Sequence, residues 1–108
     1  MARYEDDRYH QVSQDVKNVP GNPWFICTLW LAEYEIALAR NEDEMTGALE
    51  LFEWVMAHAL DSGVLAEQVN PFTDEPLSVS PLTWSHAQYV AAVMKYLHKL
   101  REPCVEPR

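Results

Sequence analysis

Glu67 and Gln68 are the residues of this chain whose types and setting best suit chemistry. A carboxylate takes up protons, and an amide beside it both donates and accepts hydrogen bonds. The pair stands in the stretch from Gly63 to Trp84, GVLAEQVNPFTDEPLSVSPLTW, which has no helical period yet is about as long as the helical segments flanking it. Leu65, Val69, Phe72, Leu77, Val79 and Leu82 make it too apolar for a solvated linker. Pro71, Pro76 and Pro81 restrict its backbone, and Thr73-Asp74 reads as a turn tip. Long loops in compact domains are functional or disordered, and an apolar one stiffened by prolines is a platform. By itself, a single glutamate in an acidic chain is a solvated surface carboxylate. Glu67 therefore stands or falls with its surroundings.

Three helices are expected to position it, at 23–40, 43–61 and 81–101, with residues 1–21 and 63–80 irregular. Asn22-Pro23 reads as a side-chain cap followed by a residue preorganised for the first turn, and Ser80-Pro81 repeats that pattern. The first helix is apolar nearly all round, which predicts burial on most sides. The second begins among the acids Glu42 to Glu44 and is apolar on one face through Met45, Leu49, Phe52, Val55, Met56, Ala59 and Leu60. Gly63 is its expected C-terminal cap. In the third, Trp84, Ala87, Val90, Ala91, Met94 and Leu97 form the expected buried face, and Pro103 stops the helix. Three helices offer too little surface to cover two such apolar ones, so the chain reads as cut from a larger helical assembly. No repeat near 34 residues relates the helices, which argues against a tetratricopeptide array.

The composition narrows the partners. At 108 residues this is one domain at most, and 17 acidic against 8 basic residues give a formal charge of -9. Nucleic acid and anionic membrane are excluded, because both call for a basic face. Cys27 and Cys104 suggest no disulfide framework, and no apolar run reaches a membrane span or a signal peptide, so a cytoplasmic location is expected. His10, His58, His86 and His98 show no metal-ligand spacing, and no cofactor is expected.

Four stretches occur in order: RYEDDRY, GNPWFICTLWLAEYEIA, GVLAEQVNPFTDEPLSVS and PLTWSHAQYVAAV. Together they resemble the C-terminal part of the catalytic domain of glucoamylase-type enzymes, glycoside hydrolase family fifteen. The resemblance implies an all-α fold, with this chain as the last inner, outer and inner helices of an (α/α)6 barrel. It implies inverting hydrolysis of terminal α-glucosidic bonds in starch or maltooligosaccharides, which needs one carboxyl as acid and another as base. Glu67 matches the family's general base. Arg3 matches an arginine that binds substrate hydroxyls, and Trp24 an aromatic of the pocket wall. Gln68, suited to a sugar hydroxyl or to orienting Glu67, joins Tyr9 and Trp84 as further substrate-binding candidates.

The resemblance also implies that the first and third helices run parallel, with Glu67, Trp24, Trp84 and the RYEDDRY segment at one end. The family's general acid belongs to an earlier helix-entering loop that the match does not include. The chain is then expected to be inactive alone, to need the missing N-terminal barrel portion, and to self-associate without it. The alternatives are a same-family trehalase or dextran-type glucosidase, or a non-catalytic helical module that binds a partner.

Overall fold

The computed structural model of the chain describes residues 1–5, 7–13 and 21–102. Asp6, Pro20, Pro103 and Cys104, on which several expectations above rest, lie outside the described residues. The elements are helix α1 (Phe25–Leu38), a 3-10 turn (Asp43–Met45), helix α2 (Thr46–His58), strands β1 (Gln68–Val69) and β2 (Pro76–Leu77), and helix α3 (Thr83–Arg101).

Phe25, Leu29, Ala32 and Ile36 recur along α1 at helical spacing, as do Met45, Ala48, Phe52 and Val55 on the turn and α2; these rows meet in one core with Leu65, Ala66, Val69 and Ala92. Phe25 lies 5.5 Å from Trp54 between ring centroids, and Gly47 lies against Glu35, so α2 runs antiparallel to α1. A Cβ at position 47 would collide with the Glu35 carboxylate, so the glycine is what lets that side chain lie against α2. Trp30 meets Trp84 and Gln88, and Glu33 meets Gln88 and Lys95, so α3 runs parallel to α1. The N-termini of α1 and α3 therefore share one end, as expected.

Several local expectations are corrected. Neither helix start uses the side-chain cap read from the sequence. The N-cap positions are Trp24 and Leu82, both extended and without a side-chain cap bond. Asn22 is instead buried and turned toward the loops, as described below. Likewise, α2 ends at Ala59 as its C-cap, and Gly63, at φ 85, closes a turn onto Leu60 O rather than the helix itself.

The loop 63–80 is not wholly irregular. β1 and β2 pair antiparallel, with Gln68 opposite Leu77 and Val69 opposite Pro76. Gln68 and Val69 are buried, so their main-chain groups need partners that water cannot supply. One step before the ladder, Glu67 N–H bonds to Val79 O at 2.9 Å, which leaves Ser78, at φ 64, as an extra residue in the manner of a β-bulge. Phe72 and Val79, expected to help bury the loop, are exposed. The tip is a turn as read: Asp74, at φ 64, donates its N–H to Asn70 O at 3.0 Å.

The α3 face is also corrected. Trp84, Ala87, Val90, Ala91, Met94 and Leu97 are exposed, whereas Ser85 and Ala92 are buried and Tyr89, Val93 and Tyr96 pack on the core. Both rows have helical spacing and lie one position apart. The small side chains of Ser85 and Ala92 let α3 approach its neighbours closely, which a row led by Trp84 would prevent. On α1, Trp30, Tyr34 and Leu38 are exposed despite the expectation of burial on most sides, because α2, α3 and the loop cover the remaining arc. Leu49, Met56 and Leu60 of the predicted α2 stripe are exposed too.

Candidate functional site

Main-chain bonds converge on residues 65–69. Phe25 N–H, the first of α1, donates to Glu67 O at 3.2 Å, and Val69 N–H donates to Pro23 O at 3.0 Å. From the other side, Leu82 N–H donates to Leu65 O at 3.0 Å and Ser85 Oγ to Ala66 O at 2.8 Å. His86 Nε2 accepts the Leu65 N–H at 3.0 Å. The segment is thus threaded between two helix N-termini, and its carbonyls satisfy N–H groups that the helices leave orphaned. A helix N-terminus carries partial positive charge, so both ends bring that charge toward the segment bearing Glu67.

Glu67 is half-buried, with Oε1 receiving a hydrogen bond from Gln68 Nε2 at 2.8 Å. Gln68 is wholly buried and gives its Oε1 to Asn22 Nδ2 at 3.0 Å. Of the two roles its type allows, orienting Glu67 is the one this placement serves. Its amide is turned to protein groups and away from solvent.

The N-terminal segment folds against the start of α1. Arg3 is held by Asp7 through both prongs, Nε to Oδ2 and Nη2 to Oδ1, each at 2.8 Å. These bonds hold the Asp7 carboxyl below the usual carboxylate range, against the opposing cost of its burial, and raise the Arg3 pKa. Clamped this way, the guanidinium lies 4.3 Å from the Trp24 ring centroid and 5.2 Å from that of Tyr9. Nη1 makes no hydrogen bond among the described residues, leaving its donors for a hydroxyl. Trp24 is buried at 4% exposure, and its Nε1 has no hydrogen-bond partner among the described residues. Tyr9 is exposed, 6.1 Å from Trp24.

Arg3, Tyr9, Trp24, Glu67 and Gln68 are therefore brought to one end of the helix pair, with Trp24 bridged to Gln68 through the main chain. Trp84 is set apart. Its ring contact is with Trp30, at 5.9 Å, which stands six residues after Trp24, about 9 Å along the α1 axis. Sequence reading missed Asp7, Ser85 and His86, and it misassigned Asn22. For Asp7 a signal existed, since it stands four residues after Arg3 with opposite charge. Ser85 and His86 carry no such signal, because their partners are main-chain atoms of a distant loop. Cys27 is a free, buried thiol whose pKa is pushed up by that burial.

The family model for glycosyl hydrolases family 15 matches residues 1–94. An uncharacterized glycosyl hydrolase of Methanocaldococcus jannaschii is 34% identical over 102 residues, a match covering 86% of this chain and 15% of that protein. The chain thus spans a small part of the length of the curated relative it matches. No solved structure matches it.

Proposed function

The chain belongs to family 15 of the glycosyl hydrolases, whose fold is the (α/α)6 barrel, and from that premise we propose that it carries the general-base half of a glucoamylase-type site. The reaction is inverting hydrolysis of terminal α-glucosidic bonds in starch or maltooligosaccharides, releasing glucose. Its three helices are then the last inner, outer and inner helices of the barrel. The observation that supports this reading best is the anchoring of Glu67 between the parallel N-termini of α1 and α3, beside Arg3 stacked on Trp24.

In the proposed mechanism Glu67 accepts a proton from the water that attacks the anomeric carbon. Gln68 holds one carboxylate oxygen, which leaves the other for the water. An inverting site needs room for that water, with its two carboxyls about 6.5–9.5 Å apart. The acid partner is supplied by barrel segments beyond these residues. Arg3, its orientation fixed by Asp7, offers Nη1 donors to sugar hydroxyls, and Tyr9 adds an exposed aromatic edge beside it. Asp7 takes no part in the reaction and sets only where Arg3 points.

The exposed apolar rows Trp30, Tyr34, Leu38 and Val90, Met94, Leu97 fit a chain whose inner helices are covered by the remainder of a barrel. The test is to express the chain alone and together with the remaining barrel of a family member, and to measure glucose release from maltooligosaccharides. Activity is expected only for the pair and only with Glu67 intact. Turnover by the chain alone, above a Glu67→Gln control, would show that both carboxyls lie within it and end the half-site reading. Assays of the active pair on trehalose and on dextran separate the substrate variants of the same family.

A further inference from the structure

Beneath Glu67 lies a chain of carboxamides whose polarity is set from the far end. Asn22 is 1% exposed and Gln68 0%. Asn22 Oδ1 accepts the Val12 N–H at 3.3 Å, while Asn22 Nδ2 donates to His10 O at 2.7 Å and to Gln68 Oε1 at 3.0 Å. A main-chain N–H only donates and a main-chain carbonyl only accepts. These two groups therefore fix which end of Asn22 is oxygen and which is nitrogen. With Nδ2 facing it, the near end of Gln68 has to be its oxygen, since two N–H groups would repel. The remaining end, Nε2, is then obliged to face Glu67 Oε1, 2.8 Å away. The Gln68 main chain has no freedom to adjust, being paired with Leu77 and bridged to Trp24.

We propose that Asn22 is a positioning residue for Glu67: it holds Gln68 in the one amide orientation that gives the carboxylate a donor. This rests on the reading of Glu67 as the base, and it assigns to the GNPW stretch a task distinct from starting a helix. Replacing Asn22 by aspartate keeps the shape and reverses the relay. The new oxygen faces His10 O and Gln68 Oε1, so Gln68 turns over, donates to residue 22 and presents its own oxygen to Glu67. One carboxylate oxygen then loses its donor and meets a repelling dipole, and Glu67 is displaced.

The experiment is nitrogen–proton NMR of the 108-residue chain, reading the side-chain amide pairs of Asn22 and Gln68, with Gln68→Glu used to assign the latter. In the unsubstituted chain both pairs are expected to exchange with solvent more slowly than a free carboxamide, and Glu67→Gln is expected to shift the Gln68 pair. In Asn22→Asp the Gln68 pair is expected at a new position, with the helix amide signals in place. A Gln68 pair that stays put in Asn22→Asp and still responds to Glu67→Gln overturns the proposal. Should that variant not fold, free-amide exchange of both pairs in the unsubstituted chain while its helix amides stay protected overturns it equally. Neither reading measures turnover, so a failed relay leaves the base assignment standing, and a failed base assignment leaves the spectra as described.

Discussion

The two ends of the α1–α3 pair are built differently. At the N-terminal end the segment 65–69 is bonded to both helices through main-chain atoms, Ser85 and His86. The cluster around it is joined by the Arg3–Asp7 fork and the Asn22–Gln68–Glu67 relay. At the C-terminal end the helices flank an open groove lined by Glu33, Ile36, Ala37, Met94, Lys95, His98, Lys99 and Glu102. Its polar links are the pairs Lys95–Glu33 at 3.2 Å and His98–Glu102 at 3.5 Å, whose Lys95 and His98 side chains are 60% and 79% exposed. Surface pairs of that kind exchange freely with water and fix little. Fixed geometry is thus concentrated at the end that carries the chemistry-bearing side chains.

That contrast can be broken by substitution, and the effects should descend in order. In a completed barrel, Glu67→Gln is expected to lower turnover about a hundred- to ten-thousand-fold with a small change in KM, measured by glucose release. A comparable loss in KM with kcat intact would make Glu67 a sugar contact.

Asp7→Asn should cost about 2 kcal/mol by denaturant unfolding, because it removes one of the charge-assisted bonds from a buried acceptor. The same pair makes the chain acid-sensitive. The folded-state pKa of Asp7 is depressed, so its contribution is present above the unfolded value of 3.8 and lost as pH falls through the lower folded value. As pH falls below 3.8 the gap between the native chain and Asp7→Asn should narrow steadily; a gap that does not narrow would remove the ion pair as its cause.

Ser85→Ala should cost about 1 kcal/mol, since Ala66 O loses its buried donor. The most exposed change, Lys95→Ala, should stay within about 0.5 kcal/mol. If Lys95→Ala proved costlier than Ser85→Ala, the ordering of the two ends would be wrong.

Helix positions were legible in the sequence because unbroken apolar spacing between Gly and Pro positions leaves little choice. The parallel placement of α1 and α3 was legible through the family resemblance. What was hidden follows from tertiary contacts. Asn22-Pro23 has the makings of a helix start, yet the Asn22 amide finds better partners in His10, Val12 and Gln68 than in the helix it precedes. Pattern alone cannot choose between the Trp84 row and the Ser85 row of α3, because both are spaced for burial and the larger side chains favour the wrong one. The grouping of Arg3, Tyr9, Trp24 and Glu67 rests on matched motifs, and the Asp7 clamp on an opposite charge four residues from Arg3, whereas the bonds of Ser85 and His86 to a distant loop leave no trace in the sequence.

The bonding of residues 65–69 also dictates where this chain can change length. Each residue there is held in register with Pro23, Trp24, Phe25, Leu77, Val79, Leu82 or Ser85. Adding one residue before Glu67 would slip that register by a step and, as in any extended segment, turn the carboxylate to the opposite side. The tip at Pro71–Glu75 has no such constraint beyond its own turn and the His58–Asp74 contact. Insertions and deletions should therefore accumulate at the tip across related sequences, while the spacing from Leu65 to Val69 stays constant even where the side chains differ.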